Sequence, residues 1–273
     1  MSLLSYIDQS YIRIFDAIFS RLHQPTPAAD VLDRCKIISH RGEHDGEEVK
    51  ENSITAFDRA AEAGVWGIEL DVRWTSDLVP VVAHDPDLNR VHDIDAPIAG
   101  ISWPLLQRMT PDVPTLAQVV DRFGGRVHLM IEIKHLNWPA PDQQSSILRD
   151  VLSPLKPEVD YHIMALRLAS LTRISGFPAE SMVAIANYQP SKYSRWVADK
   201  RWGGLCAHYG MMRKALIEKH HNYGQKVGTA YPKSRNCLFR ELNRGVDWIF
   251  SNDAVFLMDI INEEKNILAR PTQ

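Results

Sequence analysis

Short apolar runs alternate with helical segments along this chain from residue 35 onward, and this alternation constrains the fold more than any other feature. The apolar runs predict strands at 35–39, 66–72, 127–133, 161–165, 181–186, 203–207, 225–230 and 246–250. The segments between them predict helices at 53–63, 142–153, 168–175, 190–200, 211–222 and 234–244, with a C-terminal helix after the last strand. This alternation over 273 residues favours the α/β class, and within it a (β/α)8 barrel of the TIM type over an open doubly wound sheet.

The chain departs from this pattern after its second predicted strand. Only residues 73–78 separate that strand from the apolar run 79–83, which is too short for a parallel crossover, so the two runs predict a hairpin. Residues 86–126 look irregular apart from short helices at 103–108 and 115–123. We therefore expect a short insertion after the second strand of the barrel.

An N-terminal amphipathic helix and linker, residues 1–34, precede the barrel, which we assign to residues 35–273. Apolar residues recur at helical spacing at Leu4, Ile7, Tyr11, Ile14, Phe15, Ile18 and Leu22. Pro25 and Pro27 end this helix. We expect it to pack on the domain and close the bottom of the barrel, with an oligomer contact or membrane-surface contact as alternatives. Only Arg13 and Arg21 supply positive charge, which disfavours the membrane.

Composition and charge exclude several classes of protein. The formal net charge is −3 and there is no basic stripe, which argues against nucleic acid as a partner. The three cysteines lack CxxC spacing, so we expect no disulfide framework. No run approaches the roughly 18 apolar residues of a membrane span, and a signal-peptide pattern is missing. We expect a cytoplasmic protein.

Two carboxylates interrupt the apolar run of the second predicted strand. Side chains alternate along a strand, so Glu69 and Asp71 share one face while the apolar residues between them share the other. The run at 127–133 repeats this plan, with Glu132 and Lys134 on one face. Since a buried, unpaired carboxylate is costly, the three acids need a cationic partner inside the barrel.

Two kinds of partner would satisfy these acids. Oxygen-only ligands suit a hard divalent cation, Mg²⁺ or Ca²⁺, rather than zinc. A buried network of ion pairs with Arg41, Arg73 and Lys134 is the alternative. The residues alone leave both interpretations open.

Polar residues also follow other predicted strands, at the end where barrels of this type carry their functional residues. His40 and Arg41 follow the first strand, and His84 follows the hairpin run. The two imidazoles are candidates for a general acid and a general base. Arg41 and Lys134 are candidates for binding a phosphate group.

Several motifs occur in order between residues 40 and 134. They are His40-Arg41-Gly42, Glu51-Asn52-Ser53, Ala56-Phe57, Ala60, Glu69-x-Asp71-Val72, Thr75-x-Asp77, Val81-Val82-x-His84-Asp85, Leu88-x-Arg90, Pro114-Thr115-Leu116 and Glu132-Ile133-Lys134. Together with Gly245-Val246-Asp247, these motifs resemble those of the glycerophosphodiester phosphodiesterase family. The resemblance is dense up to Lys134 and thin afterwards.

This resemblance implies a metal-dependent (β/α)8 barrel that hydrolyses a small glycerophosphodiester to glycerol 3-phosphate and an alcohol. The implied metal ligands are Glu69, Asp71 and Glu132. The implied acid–base pair is His40 and His84. The implied phosphate-binding residues are Arg41 and Lys134. Two alternatives stand beside it: a lysophospholipase D-like activity at a membrane surface, and a non-catalytic barrel that binds a phosphorylated ligand.

Two strand ends depart from the family pattern. Tyr231 stands where the family often has an asparagine, after an aromatic-Thr-Val run. The last predicted strand ends in Ser251-Asn252-Asp253, where the family commonly has Thr-Asp followed by a proline. These positions flank the region for the glycerol or the leaving alcohol. We therefore take His208 and Tyr231 as candidate substrate-pocket residues.

Overall fold

The computed structural model describes residues 15–135, 138–187 and 189–269. Its strands are β1 (Ile37–His40), β2 (Gly67–Trp74), β3 (Pro80–Val82), β4 (His128–Ile133), β5 (Tyr161–Ala165), β6 (Met182–Ala186), β7 (Gly204–His208), β8 (Lys226–Ala230) and β9 (Trp248–Ser251). Its helices are α1 (Ala29–Asp33), α2 (Ile54–Glu62), α3 (Asn89–His92), α4 (Trp103–Met109), α5 (Leu116–Phe123), α6 (Pro141–Leu152), α7 (Leu168–Arg173), α8 (Pro190–Lys200), α9 (Lys214–Asn222), α10 (Arg235–Asn243) and α11 (Ala254–Leu268).

Within the described ranges, all strands except β3 are parallel and close into a barrel. Strand β1 pairs with β2 on one side and with β9 on the other, and the remaining parallel strands follow in chain order between them. The register sets His40 beside Glu69 and Asp71 beside Glu132. The predicted (β/α)8 barrel is confirmed.

The hairpin after the second strand is also confirmed. Strand β3 is antiparallel to β2, with Val82 opposite Val72. The insertion that follows has a small core of its own, formed by Val81, Leu88, Ala96, Ile98, Leu106 and Val113. This insertion therefore adds to the edge of the barrel without interrupting its closure.

The alternation along β2 divides its side chains between two layers. Ile68, Leu70 and Val72 are fully buried in the layer between the strands and the surrounding helices. The opposite face points to the barrel axis, which is filled by an axial core of Ile38, Met130, Met164, Val183, Cys206, Trp248 and Phe250. Gly67 is required here, because a Cβ atom would lie 2.8 Å from the carbonyl oxygen of His128.

Two of the helices, α2 and α5, begin after a residue whose side chain caps the helix. The Ser53 hydroxyl accepts a hydrogen bond from the Ala56 N–H, and Thr115 forms a capping box with Gln118. Other boundaries differ slightly from the prediction. Helix α9 begins at Lys214 rather than at residue 211, because the N–H groups of Met211 and Met212 turn back to the carbonyl of His208.

The N-terminal segment lies at a different end of the barrel from the one we expected. Residues 15–19 are helical, Phe19 packs on the ring of Tyr209, and the Tyr209 hydroxyl donates to the Asp16 carboxylate. Tyr209 directly follows β7, so the segment packs where the strands end. The expectation that it closes the bottom is therefore wrong for residues 15–19, and the part of this helix before residue 15 lies outside the described residues. No helix in the described ranges is long and apolar enough to cross a membrane.

Candidate active site

Three carboxylates meet at the end of the barrel where the strands terminate. Glu69 and Asp71 lie on β2 and Glu132 lies on the neighbouring strand β4. One oxygen from each lies within 4.8 Å of the others, and all three side chains are buried. The inner-face position predicted for them from strand alternation is confirmed.

Two cations stand among these acids. The Lys134 ammonium lies 2.6 Å from Asp71 Oδ1 and 2.8 Å from Glu132 Oε1. Arg41 Nε lies 3.3 Å from Asp71 Oδ2. Arg73 instead donates to the carbonyl oxygen of His84, so it is not part of the ion-pair network that was the alternative to a metal.

Glu69 is the acid whose negative charge is not paired with either of these cations. Its carboxylate accepts the backbone N–H of Arg41 at 3.2 Å, and its nearest basic side chain is His40, at 3.7 Å from Nε2. Burial, and then the neighbouring Asp71, hold the pKa of Glu69 well above its usual range. The three carboxylates form an all-oxygen donor set, and their negative charge exceeds the positive charge of the two neighbouring cations. Both features fit a hard divalent cation.

The loop after β1 orients Arg41 and the central acid. Gly42 has φ +80°, and a Cβ atom there would lie 2.8 Å from Ala56, so only glycine fits the turn. The Asn52 side chain donates to Asp71 Oδ2 at 2.9 Å and accepts the Asp71 N–H at 3.3 Å. Glu51 binds Arg41 at 3.1 Å from the other side. Asn52 and Glu51 were seen in the sequence only as motif residues, not as site residues.

His40 has a neutral hydrogen-bond partner. Its Nδ1 lies 2.6 Å from the amide oxygen of Asn252, so Nδ1 carries the proton and Nε2 is the acceptor nitrogen of the ring. Burial, and then the nearby Arg41, lower the pKa of His40 to about 3. The Tyr231 hydroxyl lies 3.4 Å from Nε2.

His84 has a charged partner instead. Its Nδ1 lies 2.8 Å from Asp85 Oδ1, and the other oxygen of Asp85 binds Arg90 at 2.5 Å. Burial lowers the pKa of His84, while Asp71 and the hydrogen bond to Asp85 act in the opposite direction. Both imidazoles therefore make a hydrogen bond through Nδ1, but the partner of His40 is neutral and the partner of His84 is negatively charged.

A cavity of about 320 Å³ brings these residues together with both candidate substrate-pocket residues. Its polar side holds His40, Arg41, Glu69, His84, Glu132 and Lys134, and its apolar side holds Met164, Leu166, Ile185, Met211 and Phe250. His208 lies at the apolar side. Its Nδ1 accepts the N–H of Gly210, so its buried Nε2–H is a donor without a partner among the described residues.

The sequence did not identify two partners of the imidazoles. Asp85 adjoins His84 in the sequence, and its carboxylate next to a histidine was a usable signal. Asn252 follows β9, whereas His40 ends β1, so their contact depends on closure of the barrel. No local sequence pattern carries that information.

A barrel with buried acids, two cations and two imidazoles at the ends of its strands belongs to the class equipped for phosphoryl chemistry. Comparison with known proteins identifies the family. Residues 40–203 match the model of the glycerophosphoryl diester phosphodiesterase family, so the chain belongs to that family.

Individual relatives agree with this assignment. A glycerophosphodiester phosphodiesterase of Bacillus altitudinis is 31% identical over 234 residues, which cover 80% of this chain and 94% of that protein. Glycerophosphodiester phosphodiesterase 1 of Rattus norvegicus is 34% identical over 95 residues, 32% of this chain and only 28% of the rat protein. A phosphodiesterase of Oleispira antarctica, solved with the product sn-glycerol-3-phosphate, has the same fold, with a TM-score of 0.69 and 20% identity over 83% of this chain and 96% of that one.

Proposed function

We propose that this chain hydrolyses a glycerophosphodiester to glycerol 3-phosphate and an alcohol with the help of a divalent cation. The observation that carries the proposal is the convergence of two differently partnered imidazoles, two acids and two cations on one cavity, with the third acid, Asp71, buried beside the other two. Membership of the family supports the choice of substrate.

Glu69, Asp71 and Glu132 would hold the cation, which we expect to be Mg²⁺ or Ca²⁺. When bound, it supplies positive charge that neutralises the phosphate and polarises one of its oxygens. Removal of the ion by chelation should abolish turnover, and adding back Mg²⁺ or Ca²⁺ should restore it.

Arg41 and Lys134 would bind the phosphate with the donors that the acids leave free. Arg41 donates one terminal nitrogen to Glu51, while its Nε lies 3.3 Å from Asp71 without a hydrogen bond, which leaves its other terminal nitrogen. Lys134 donates one of its three N–H groups to Glu132 and makes an ion pair with Asp71, so it retains donors for another partner. Each cation can therefore donate to a phosphate oxygen while it stays anchored.

The two histidines would divide the proton transfers according to their partners. His40, held by a neutral amide, would accept at Nε2 the proton of the attacking oxygen, which belongs either to water or to the neighbouring glycerol hydroxyl. In the second case a cyclic phosphate forms first, and water then opens it to glycerol 3-phosphate. His84, backed by the Asp85 carboxylate, would hold a proton and give it to the leaving alkoxide. The bond from phosphorus to the attacking oxygen forms as the bond to the alcohol breaks, and one proton moves at each end.

Alanine variants of the two histidines test this proposal. His40→Ala and His84→Ala should each reduce kcat by roughly 10²–10⁴, the usual size of general acid–base effects. The assay should use a panel of glycerophosphodiesters with the cation added back after chelation, and His92→Ala, in the insertion, is the matched control. Wild-type rates in both variants would refute the acid–base assignment. No turnover of any phosphodiester by the wild type would favour a barrel that only binds a phosphorylated ligand.

A lysophospholipase D-like activity is the second candidate, and the apolar side of the cavity favours it. Met164, Ile185 and Met211 could contact an acyl chain. Ile18 and Leu22 of the N-terminal segment are about half exposed at the same end of the barrel. If this candidate holds, the double substitution Ile18→Ser and Leu22→Ser should reduce turnover of a micellar lysophospholipid but not of a soluble glycerophosphodiester. Equal effects on both substrates would argue against it.

A further inference from the structure

A second cavity, of about 560 Å³, opens at the opposite end of the barrel, where the strands begin. Its inner wall is formed by Lys36, Trp66, His162 and Trp248, which lie at or next to the first residues of β1, β2, β5 and β9. The proposed reaction uses none of these residues. The volume is within the range of about 300–1,000 Å³ that is typical of small-molecule sites.

Two lysines give one side of this cavity a positive charge. The Lys36 ammonium lies 4.6 Å from the centroid of the Trp66 ring, and no carboxylate in the described part of the chain lies within 4.0 Å of it. Lys226, at the start of β8, makes one ion pair, with Asp247 at 3.4 Å. Burial, and then Lys226, lower the pKa of Lys36, so an anion placed between the two ammonium groups would relieve their repulsion.

The rest of the inner wall is aromatic and uncharged. Trp66 stacks on His128 at 4.3 Å, and Trp248 meets His162 edge to face at 4.9 Å. His128 donates from Nδ1 to the carbonyl of Val159, and His162 donates from Nδ1 to His128 Nε2. Both histidines are therefore neutral, so the positive charge of the inner wall comes from the two lysines, with the carboxylate of Asp247 beside them.

Acidic groups lie across the cavity from Lys36. Glu158 and Glu180 are exposed and precede β5 and β6, which stand on the far side of the barrel from β1. Arg201 adds another cation at the outer rim. An anionic ligand would therefore direct its charged group toward Lys36 and Lys226 and its body toward the aromatic rings.

We propose that this second cavity binds a small organic anion, a carboxylate, sulfonate or phosphate carried on an aromatic body. The ammonium groups of Lys36 and Lys226 would bind the anionic group, and the aromatic body would lie against the part of the Trp66 ring that Lys36 and His128 leave uncovered.

Calorimetric titration of the full chain, loaded with Mg²⁺, tests this site with naphthalene-2-sulfonate as the probe. We expect saturable binding, with the uncharged 2-naphthol binding about tenfold more weakly because it lacks the charge-assisted contact. Lys36→Met keeps the aliphatic stem over Trp66 and should weaken sulfonate binding about tenfold. Lys214→Met, on the exposed face of α9, should leave it unchanged.

The location of the bound probe is tested by a variant at the other end of the barrel. Lys134→Met should not alter sulfonate binding. Loss of sulfonate binding in that variant would place the probe in the 320 Å³ cavity and overturn the proposal. Absence of saturable binding, or equal binding to wild type and Lys36→Met, would also overturn it. If Lys36→Met does not fold, Lys226→Met removes the second, more exposed ammonium and should weaken binding in the same way.

Discussion

The phenol of Tyr231 stands against the imidazole of His40. The ring centroids are 4.8 Å apart and the Tyr231 hydroxyl lies 3.4 Å from His40 Nε2, the nitrogen that we propose as the proton acceptor. Burial, and then the charge of Glu69, raise the pKa of Tyr231, so its hydroxyl stays protonated and can donate. The residue that departs from the family pattern therefore touches the proposed base directly.

Tyr231→Phe should reduce kcat about three- to tenfold with little change in KM, because it removes one hydrogen bond that orients His40 while the ring packing stays. Steady-state kinetics on a soluble glycerophosphodiester measure this effect. Tyr223→Phe, at the rim of the second cavity, is the control. An unchanged kcat would show that the hydroxyl does not orient His40, and a loss of several hundredfold would assign Tyr231 a direct part in proton transfer.

Glu69→Gln should have opposite effects on stability and on cation binding. It removes a buried carboxylate that has no cationic side-chain partner, so the cation-free protein should gain stability. It also removes one ligand of the proposed ion, so affinity for Mg²⁺ or Ca²⁺ should fall roughly tenfold or more. Thermal melts in chelator and calorimetric titration measure the two effects. Glu43→Gln is the control, and unchanged cation affinity would exclude Glu69 as a ligand.

Asp85→Asn should move the alkaline limb of the profile of kcat/KM against pH to lower pH. The Asp85 carboxylate favours the protonated form of His84, so its removal lowers the pKa of His84 further. A general acid must be protonated to act, and its activity would then be lost at a lower pH. Asp87→Asn, a nearby acid that does not bind His84, is the control. A shift of the acidic limb alone would instead identify His84 as the base.

His208→Leu should raise KM by about five- to tenfold and change kcat little. The substitution keeps most of the side-chain volume but removes the buried Nε2–H donor of a residue that lines the substrate cavity. His221→Leu, on α9, provides the comparison. If KM stays the same for every glycerophosphodiester in the panel, His208 does not contact the substrate.

The His128–His162 pair should make the protein less stable in acid. Burial lowers the pKa of His128 to about 4 and that of His162 to about 3, both below the value of 6.5 for a free side chain. The unfolded chain therefore binds more protons below pH 6.5. The stability from these groups is complete above that pH and is lost as the pH falls toward 3, by up to about 1.4 kcal/mol per pH unit for each histidine.

Urea unfolding at several pH values measures this loss. His162→Gln keeps a side-chain donor but removes one titrating group, so its stability should fall less steeply between pH 6 and pH 4 than that of the wild type. The exposed His23→Gln variant should show the wild-type slope. Identical slopes in all three proteins would mean that His162 already binds a proton in the folded state.

The strand pattern was sufficient to predict the barrel and most of its polar site. Period-two alternation put Glu69 and Asp71 on one face, and the rule that barrel sites lie at strand ends brought in His40, His84 and Lys134. The contacts of His40 with Asn252 and Tyr231 could not be predicted, because they join strands that meet only when the sheet closes. The N-terminal segment is held by contacts such as those of Asp16 and Phe19 with Tyr209, and amphipathic spacing shows which face is buried but not against what.

The bond between His40 and Asn252 spans 212 positions of the chain. It forms across the seam where β9 is inserted beside β1, so the first and last strands must both be in place before the imidazole is oriented. A chain still emerging from the ribosome, or one truncated before β9, has its acids and cations but not this bond. Orientation of His40 is therefore tied to the presence of β9, and two fragments cut within the insertion should regain activity only when they reassemble.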